Sequence, residues 1–177
     1  MGFVLLGVAG MTVTGFTGAT MQMVTHGFIT GALFFLVGVI YERSHTREVT
    51  EFGGLGRRMP FYSAMMSLAL LASMGLPGLA GFISEFHALV GAFEKWGLWV
   101  AIASVGVLIT AAYSLRTIGK MFMGNFNPKW EDLQDMNVRE MVIIVPLAVL
   151  MVGLGLFPSV ALNLMKETMV NMVALIQ

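Results

Sequence analysis

Residues 59–93 contain a single formally charged side chain, Glu85, and are otherwise apolar, small or weakly polar. A stretch of this composition and length predicts a segment embedded in a membrane. As one straight helix it would be about 50 Å long, at a rise of 1.5 Å per residue. The hydrocarbon core of a bilayer is only about 30 Å thick, so the segment is too long for one unbroken crossing.

The sequence of residues 75–81, GLPGLAG, supplies an interruption in this segment. Pro77 cannot donate a backbone hydrogen bond, and its ring crowds the preceding helical turn. We therefore expect residues 60–93 to form two half-helices joined near Pro77 by an irregular piece, with Glu85 on the second half. Irregular backbone at membrane depth is tolerated only where protein or water satisfies it, so Glu85 should face protein or water rather than lipid.

The composition of the whole chain is that of a membrane protein. Of its 177 residues, 57% are hydrophobic and only 11% are charged, against about 25% charged in a soluble domain. The net charge is zero and the basic residues form no stripe, so nucleic acid is not an expected partner. The absence of Cys excludes disulfides, cysteine-ligated iron–sulfur clusters and thiol catalysis.

The charge pattern divides residues 1–177 into spans and loops of a single membrane-embedded region. The expected fold is all-α: a polytopic transmembrane helix bundle with about four full spans plus the end of another, one span broken, and a C-terminal amphipathic helix. The expected elements are a helix end at 1–10, spans at 19–41, 60–93 and 97–118, a span from a capping box at 137–140 to residue 157, kinked at Pro146, and a tail at 159–177. The tail either lies at the membrane interface or packs against a partner subunit.

The Lys and Arg residues predict the orientation of the spans. Eight of the ten fall in two segments, 42–59 and 116–139, which alternation places on the same side of the membrane. They are Arg43, Arg47, Arg57 and Arg58 in the first, and Arg116, Lys120, Lys129 and Arg139 in the second. Only Lys95 and Lys166 fall on the other side. By the positive-inside rule, the two richer loops face the cytoplasm, or the matrix of an organelle.

Glu85 is the first candidate for chemistry. An ionisable group inside a span costs roughly 2.5–3.5 kcal/mol on insertion scales, so its presence there indicates function. It precedes Glu94, at the expected loop edge, by nine residues, or about 14 Å of helix, which places it near the membrane midplane. A carboxyl group held there can take up and release protons. The alternative is a structural carboxyl group that hydrogen-bonds the backbone of the broken helix.

His26 is the second candidate. Gln22 and Thr30 lie four residues on either side of it and therefore share its helix face, with Thr25 nearby. A polar stripe within a span should face protein or water, and an imidazole can relay protons through either ring nitrogen near neutral pH. The alternative is a histidine that hydrogen-bonds a neighbouring helix for packing.

The remaining histidines are weaker candidates. His45 lies in a charged loop, and His87 follows Glu85 by two residues, which puts it on another helix face. The chain has neither the H-x₃-H nor the H-E-x-x-H spacing of zinc ligands, so no metal site is expected. No dinucleotide-binding motif occurs in a strand–helix context, and no cofactor is expected on this chain.

Several segments are distinctive in combination. They are HGFITGALFFL at 26–36, YERSHTR at 41–47, FGGL at 52–55, GLPG at 75–78 and GFISEF at 81–86. Together they resemble the antiporter-like subunit M family of respiratory complex I, whose mitochondrial counterpart is NADH dehydrogenase subunit 4. The resemblance covers essentially the whole chain. The YERSHTR loop followed by Gly-Gly-Leu favours subunit M over its paralogues.

The resemblance implies a role for both candidate residues. The chain would be roughly the last third of a fourteen-helix subunit, comprising the end of helix ten and helices eleven to fourteen. The proton-channel glutamate on the family's broken helix twelve matches Glu85, and the helix-eleven histidine of its central polar axis matches His26. The implied function is part of a proton-translocation channel in NADH:quinone oxidoreductase, which couples electron transfer to pumping. The redox centres, NADH site and flavin would lie on other subunits.

The resemblance also implies partners. The family's helix-five glutamate and membrane lysines would fall before Met1, so the N-terminal part of the same subunit would supply them. Other membrane subunits of complex I, the lipid bilayer and protons complete the expected partners, in a bacterial inner membrane. Two alternatives remain: a subunit of a multisubunit cation/proton antiporter or membrane-bound hydrogenase, which share the ancestry, or a membrane subunit needed only for assembly.

Overall fold

A computed structural model describes residues 1–176, and the predicted all-α fold is confirmed over that range. Its helices are α1 (Gly2–Ala9), α2 (Val13–Ser44), α3 (Pro60–Ser73), α4 (Ala80–Trp96), α5 (Trp99–Phe122), α6 (Val138–Leu156) and α7 (Ser159–Ala174). Short 3₁₀ turns at Val49–Glu51, Leu55–Arg57 and Pro128–Trp130 lie in the two longer loops. Gln177, the last residue of the predicted tail, lies outside the described residues.

Four crossings of the bundle are present, as predicted. Helices α2, α5 and α6 are each long and apolar enough to span a membrane. Helices α3 and α4 form the fourth crossing, which is broken. At one end of it, the backbone N–H groups of Phe61 and Tyr62 donate to the Asp135 carboxylate at 2.8 and 3.0 Å. At the other end, Trp96 Nε1 donates to the carbonyl of Ala9 at 3.0 Å.

The two basic loops meet at one end of the bundle, here called the loop end and formed by residues 45–59 and 123–137. The N–H of Gly54 donates to the carbonyl of Met123 at 3.2 Å. Lys129 Nζ lies 2.7 Å from Glu51 Oε2. This hydrogen bond, with one from Thr46, holds the pKa of the Glu51 carboxyl group below its usual range. The two loops therefore lie at the same end of the bundle, as a shared side requires. The side of the membrane that they face stays a prediction.

An ion pair at the loop end joins α2 to α6. The guanidinium of Arg43 donates to both oxygens of Glu140, at 2.9 and 2.8 Å. Glu140 also accepts from the N–H of Asn137 at 2.8 Å, while Asn137 Oδ1 accepts from the N–H of Glu140 at 3.0 Å. This arrangement is the predicted capping box, so one side chain both starts α6 and ties it to α2.

The predicted start of the first full span at residue 19 is wrong, because α2 begins at Val13. Gly15 and Gly18 lie inside this helix, before the predicted start, and Gly15 contacts the backbones of Gly7 and Gly91. Glycine at these contacts lets α1 and α4 approach α2 closely. Thr12 starts the helix by accepting from the N–H of Gly15 at 3.0 Å.

Other boundaries also differ from the prediction. Helix α2 continues to Ser44, and α5 extends to Phe122 rather than residue 118. Phe122 is buried and meets the ring of Tyr62 edge-on, with centroids 6.1 Å apart, so packing extends α5 past the polar Gly119-Lys120 sequence. Helix α6 continues through Pro146, and the kink expected there stays a prediction.

The tail forms the predicted helix, α7. Its buried residues Met169 and Val173 pack against Phe16 near the start of α2, and Lys166, Glu167 and Asn171 are exposed. Part of the apolar surface of α7 is therefore covered by this chain's own α2, whereas Val160, Leu164 and Val170 are exposed beside the polar residues. Whether its outer face meets lipid headgroups or a partner subunit stays a prediction.

Candidate functional site

The helix break lies at residues 74–79, between α3 and α4, where Pro77 predicted it. Part of its backbone is satisfied within the chain: the N–H groups of Met74 and Leu76 donate to carbonyls of α3, at 3.0 and 3.1 Å. Gly155 of α6 lies against the backbone of Gly78 and so covers the break from the other side. These contacts explain how irregular backbone is tolerated within an apolar bundle.

Glu85 lies on the second turn of α4, directly after this break, and its residue is only 8% exposed. Its carboxylate rests against the backbone of Gly75, which has φ +75°. The prediction that Glu85 lies on the second half-helix and faces the protein is therefore confirmed. Within residues 1–176, the ion pairs join Arg43 to Glu140 and Lys129 to Glu51, and none involves Glu85.

Glu85 and His26 line the same cavity, which has a volume of about 130 Å³. Glu85 enters it from α4 and His26 from α2, so the structure brings together the two residues that the sequence singled out. The other lining residues are Met1, Phe3, Gln22, Ile29, Ala72, Ser73, Gly81, Thr110 and Tyr113. A cavity needs a volume of only about 10–15 Å³ to hold one water molecule, so this cavity has room for several water molecules.

The predicted polar stripe beside His26 is only partly directed at this cavity. Gln22 is buried and lines the cavity, whereas the Thr30 hydroxyl donates to the carbonyl of His26 at 2.6 Å. Thr25 is fully buried, and its Oγ1 lies 3.0 Å from Ser84 Oγ on α4. Of the stripe, Gln22 therefore faces the cavity and Thr25 contacts α4. Thr30 instead forms its hydrogen bond within α2.

The remaining histidines lie apart from the cavity. His87 uses Nδ1 to bond the carbonyl of Ile83 at 2.7 Å, one turn earlier on α4. His45 ends α2 in the left-handed conformation, with its ring edge-on to Tyr41. Among residues 1–176, no three His, Cys, Asp or Glu side chains are close enough to hold a metal ion. The expectation that the chain carries neither metal nor cofactor stays a prediction.

Four polar residues at the site were not among the sequence candidates: Ser73, Ser84, Thr110 and Tyr113. Thr110 and Tyr113 are one turn apart on α5 and bring a hydroxyl-bearing face to the cavity. Their three-residue spacing within an apolar span was the sequence feature that could have predicted a shared polar face. Ser84 directly precedes Glu85 and is fully buried. Its partners on α2 could be identified only once the packing of α2 and α4 was known.

The cavity combines an acid, an imidazole, an amide and hydroxyl groups within an apolar bundle. No hydrogen bond joins Glu85 to His26 directly in the described part of the chain. A carboxyl group can exchange a proton with water that enters such a cavity, and an imidazole can pass a proton through either ring nitrogen. The arrangement can therefore support proton transfer across a short distance inside the membrane.

Three spanning helices, a broken fourth and a buried carboxyl group beside the break define an integral membrane protein of the transporter-like class. Residues 1–110 match the profile of the NADH:quinone oxidoreductase/Mrp antiporter transmembrane family. The chain belongs to this family.

Two curated relatives are similar to nearly the whole chain. The NADH-quinone oxidoreductase subunit M of Rhodobacter capsulatus is 40% identical over 175 residues, which are 98% of this chain and 34% of the relative. NADH-ubiquinone oxidoreductase chain 4 of Marchantia polymorpha is 38% identical over 98% of this chain and 35% of its own length. The chain thus spans about a third of the relatives it matches.

Solved structures show the same fold. A chain of respiratory complex I from Thermus thermophilus, solved with bound NADH, superposes with a TM-score of 0.86 at 31% identity. The superposition covers 97% of this chain and 37% of the other. A chain of the Mrp complex from Dietzia sp. superposes with a TM-score of 0.83, covering 96% of this chain and 40% of that one. At 19% identity, that likeness concerns the fold alone.

Proposed function

We propose that this chain forms part of a proton-translocation channel in the membrane arm of an NADH:quinone oxidoreductase. The observation that carries the proposal is the cavity shared by Glu85 and His26 at the helix break. Glu85 takes up and releases the proton, and His26 relays it to or from cavity water. The similarity to subunit M and chain 4 proteins supports the assignment to this complex.

The chain contributes to the enzyme without carrying redox chemistry. It has no Cys to ligate an iron–sulfur cluster, and its proposed reaction moves only protons. NADH oxidation and quinone reduction take place on other subunits and drive transfer through this one. Coupling then requires that the protonation of Glu85 change with the state of the complex, so that electron transfer slows when the carboxyl group cannot exchange its proton.

The proposed partners are the other membrane subunits of the complex and the N-terminal part of the same subunit. The proposed location is a bacterial inner membrane, with segments 42–59 and 116–139 facing the cytoplasm. The Lys and Arg distribution supports this orientation, and the pairing of Gly54 with Met123 supports a common side.

A second candidate is a subunit of a cation/proton antiporter, because the matched family also includes Mrp antiporters. The two candidates differ in what assembles with the chain. Mass spectrometry of the native complex, purified through a tag on this chain, should recover NADH dehydrogenase subunits, and membranes containing it should take up protons when NADH is added. A complex without those subunits that exchanges cations for protons would replace the first candidate with the second.

A further inference from the structure

A buried hydroxyl pair supports one wall of the cavity. Thr25 Oγ1 and Ser84 Oγ lie 3.0 Å apart between α2 and α4, and both residues are fully buried. Ser84 Oγ also forms a hydrogen bond with Gln22 Oε1. Gln22 is itself only 5% exposed and lines the cavity together with His26 and Glu85. The three side chains form a buried hydrogen-bonded chain that ends at the cavity.

The direction of these hydrogen bonds determines what Gln22 presents to the cavity. The amide oxygen of Gln22 can only accept, so the Ser84 hydroxyl is the donor in that bond, and it shares its proton with the Gly81 carbonyl 2.9 Å away. Thr25 is then the donor to Ser84 Oγ. A side-chain amide has one oxygen acceptor and one NH₂ group with two donors. Ser84 occupies the oxygen, and no residue among 1–176 accepts from the NH₂ group, so this group is the donor that Gln22 can offer to the cavity it lines. Thr25 and Ser84 therefore fix the orientation of the amide.

The position of Gln22 relates it to both proton-transfer residues. It lies one turn before His26 on α2, and its partner Ser84 directly precedes Glu85 on α4. No hydrogen bond joins the imidazole to the carboxyl group in residues 1–176, so a proton that passes between them needs a carrier, and the cavity that both residues line has room for water. A fixed donor at the cavity wall orders such water by binding its oxygen atom.

We propose that Gln22 is a third member of the proton path, where its NH₂ group holds the water that links His26 to Glu85. The inference rests on the proposed function. Gln22 keeps its own protons throughout. The transferred proton moves from water to the carboxyl group, and the water regains one from the imidazole side. Ser84 and Thr25 are positioning residues, because they act through the orientation of Gln22.

The test uses Gln22→Met and Ser84→Ala in the assembled native complex, with rates measured per complex. Methionine keeps the length of the side chain but has no donor, so proton-coupled electron transfer should slow about fivefold, the effect of losing one hydrogen bond. The solvent deuterium isotope effect should rise, because proton transfer becomes more limiting. Ser84→Ala should give a smaller change in the same direction. The double variant should be no slower than Gln22→Met alone.

Thr17→Val is the matched control. Thr17 is another buried hydroxyl residue on α2, but it donates to the carbonyl of Val13 at 2.7 Å and does not line the cavity. Its rate and isotope effect should match those of the unaltered complex. If Gln22→Met reduces the amount of complex, Ser84→Ala alone carries the isotope test.

Two results would overturn the inference. One is a normal rate and isotope effect per complex for both Gln22→Met and Ser84→Ala. The other is fully additive losses in the double variant, which would mean that Ser84 does not act through Gln22. Glu85→Gln, measured in parallel, separates the two claims. If that variant pumps normally, the proposed function fails; if it is inactive while Gln22→Met is normal, only the role of Gln22 fails.

Discussion

The carboxylate of Glu85 rests against the backbone of Gly75, so the helix break and the buried acid form one structural unit. A methyl group built on Gly75 would come within 2.6 Å of Glu85 Oε2. Gly75 also has φ +75°, a conformation that other residues adopt at a cost. Glycine at this position therefore lets the irregular backbone and the carboxyl group lie side by side.

Gly75→Ala should displace the Glu85 carboxyl group and strongly reduce proton-coupled turnover per assembled complex. Gly78→Ala is the matched control, because Gly78 has φ +93° but open space where the methyl group would lie. Both substitutions carry a backbone cost of about 1–2 kcal/mol, so both should lower the amount of complex. Only Gly75→Ala should lower activity per complex, measured as NADH oxidation normalised to a native gel. Equal activity losses would contradict the role assigned to the Gly75 contact.

His26→Ala should slow turnover less than loss of the Glu85 carboxyl group does. The imidazole lines a cavity with room for water, and added water can replace it as a relay, since a water-mediated hydrogen bond is nearly as favourable as a direct one. His87→Ala is the comparison, because that ring bonds the carbonyl of Ile83 and does not line the cavity. NADH-driven proton uptake by vesicles measures both variants. A His26→Ala complex with no proton uptake would show that water cannot replace the imidazole. Reduced proton uptake in the His87→Ala complex would mean that the proton path extends beyond the cavity.

The break and the burial of Glu85 could be predicted because their signals are local. Pro77 lacks a backbone donor whatever its surroundings, and a lone carboxyl group in an apolar stretch must be placed in protein or water. The start of α2 could not be predicted in the same way. Gly15 looks like a helix interruption in sequence, but in the structure it is the contact that allows α1 and α4 to approach α2. Tertiary packing overrode helix propensity there.

Only some of the residues that form the site could be predicted from the sequence. Glu85 and His26 stand out as ionisable groups in apolar spans. Tyr113 and Thr110 belong to the site because one face of α5 lines the same cavity as α2 and α4, and this depends on packing that a single span does not encode. The sequence places Ser84 directly beside the candidate acid, Glu85. Its role could not be predicted, because it depends on hydrogen bonds to Gln22 and Thr25, more than fifty residues earlier in the chain.

Arg43→Gln should lower the thermal stability of the assembled complex. The Arg43 and Glu140 side chains are only 17% and 12% exposed, so removal of the guanidinium leaves a largely buried carboxylate without its cation. We expect a loss of about 1–3 kcal/mol. Melting of the purified complex, followed by native-gel quantification, provides the measurement. The exposed pair of Lys129 and Glu51 is the control: Glu51→Gln should change stability little, because exposed pairs contribute little. An equal effect of both substitutions would contradict the structural importance of the buried pair.

Cysteine labelling should place both basic loops on the cytoplasmic side. The chain has no native Cys, so single variants at Glu48 and Asn125 report one end of the bundle, and a variant at Lys95 reports the other. A membrane-impermeant maleimide added to intact cells should label only the Lys95 position. After the cells are opened, it should label all three. Labelling of Glu48 and Asn125 positions in intact cells would reverse the orientation, and labelling of just one would contradict their common side.

Proton pumping by the Glu85→Gln complex tests the proposed function most directly. Glutamine keeps the size and hydrogen-bonding capacity of the side chain but cannot exchange a proton in this pH range. In vesicles containing equal amounts of assembled complex, NADH-driven proton uptake and the coupled electron transfer should both be strongly reduced. Glu85→Asp, which retains a titratable group one methylene shorter, should keep part of the activity. Normal proton uptake by Glu85→Gln at a normal level of complex would contradict the assignment of Glu85 as a proton carrier.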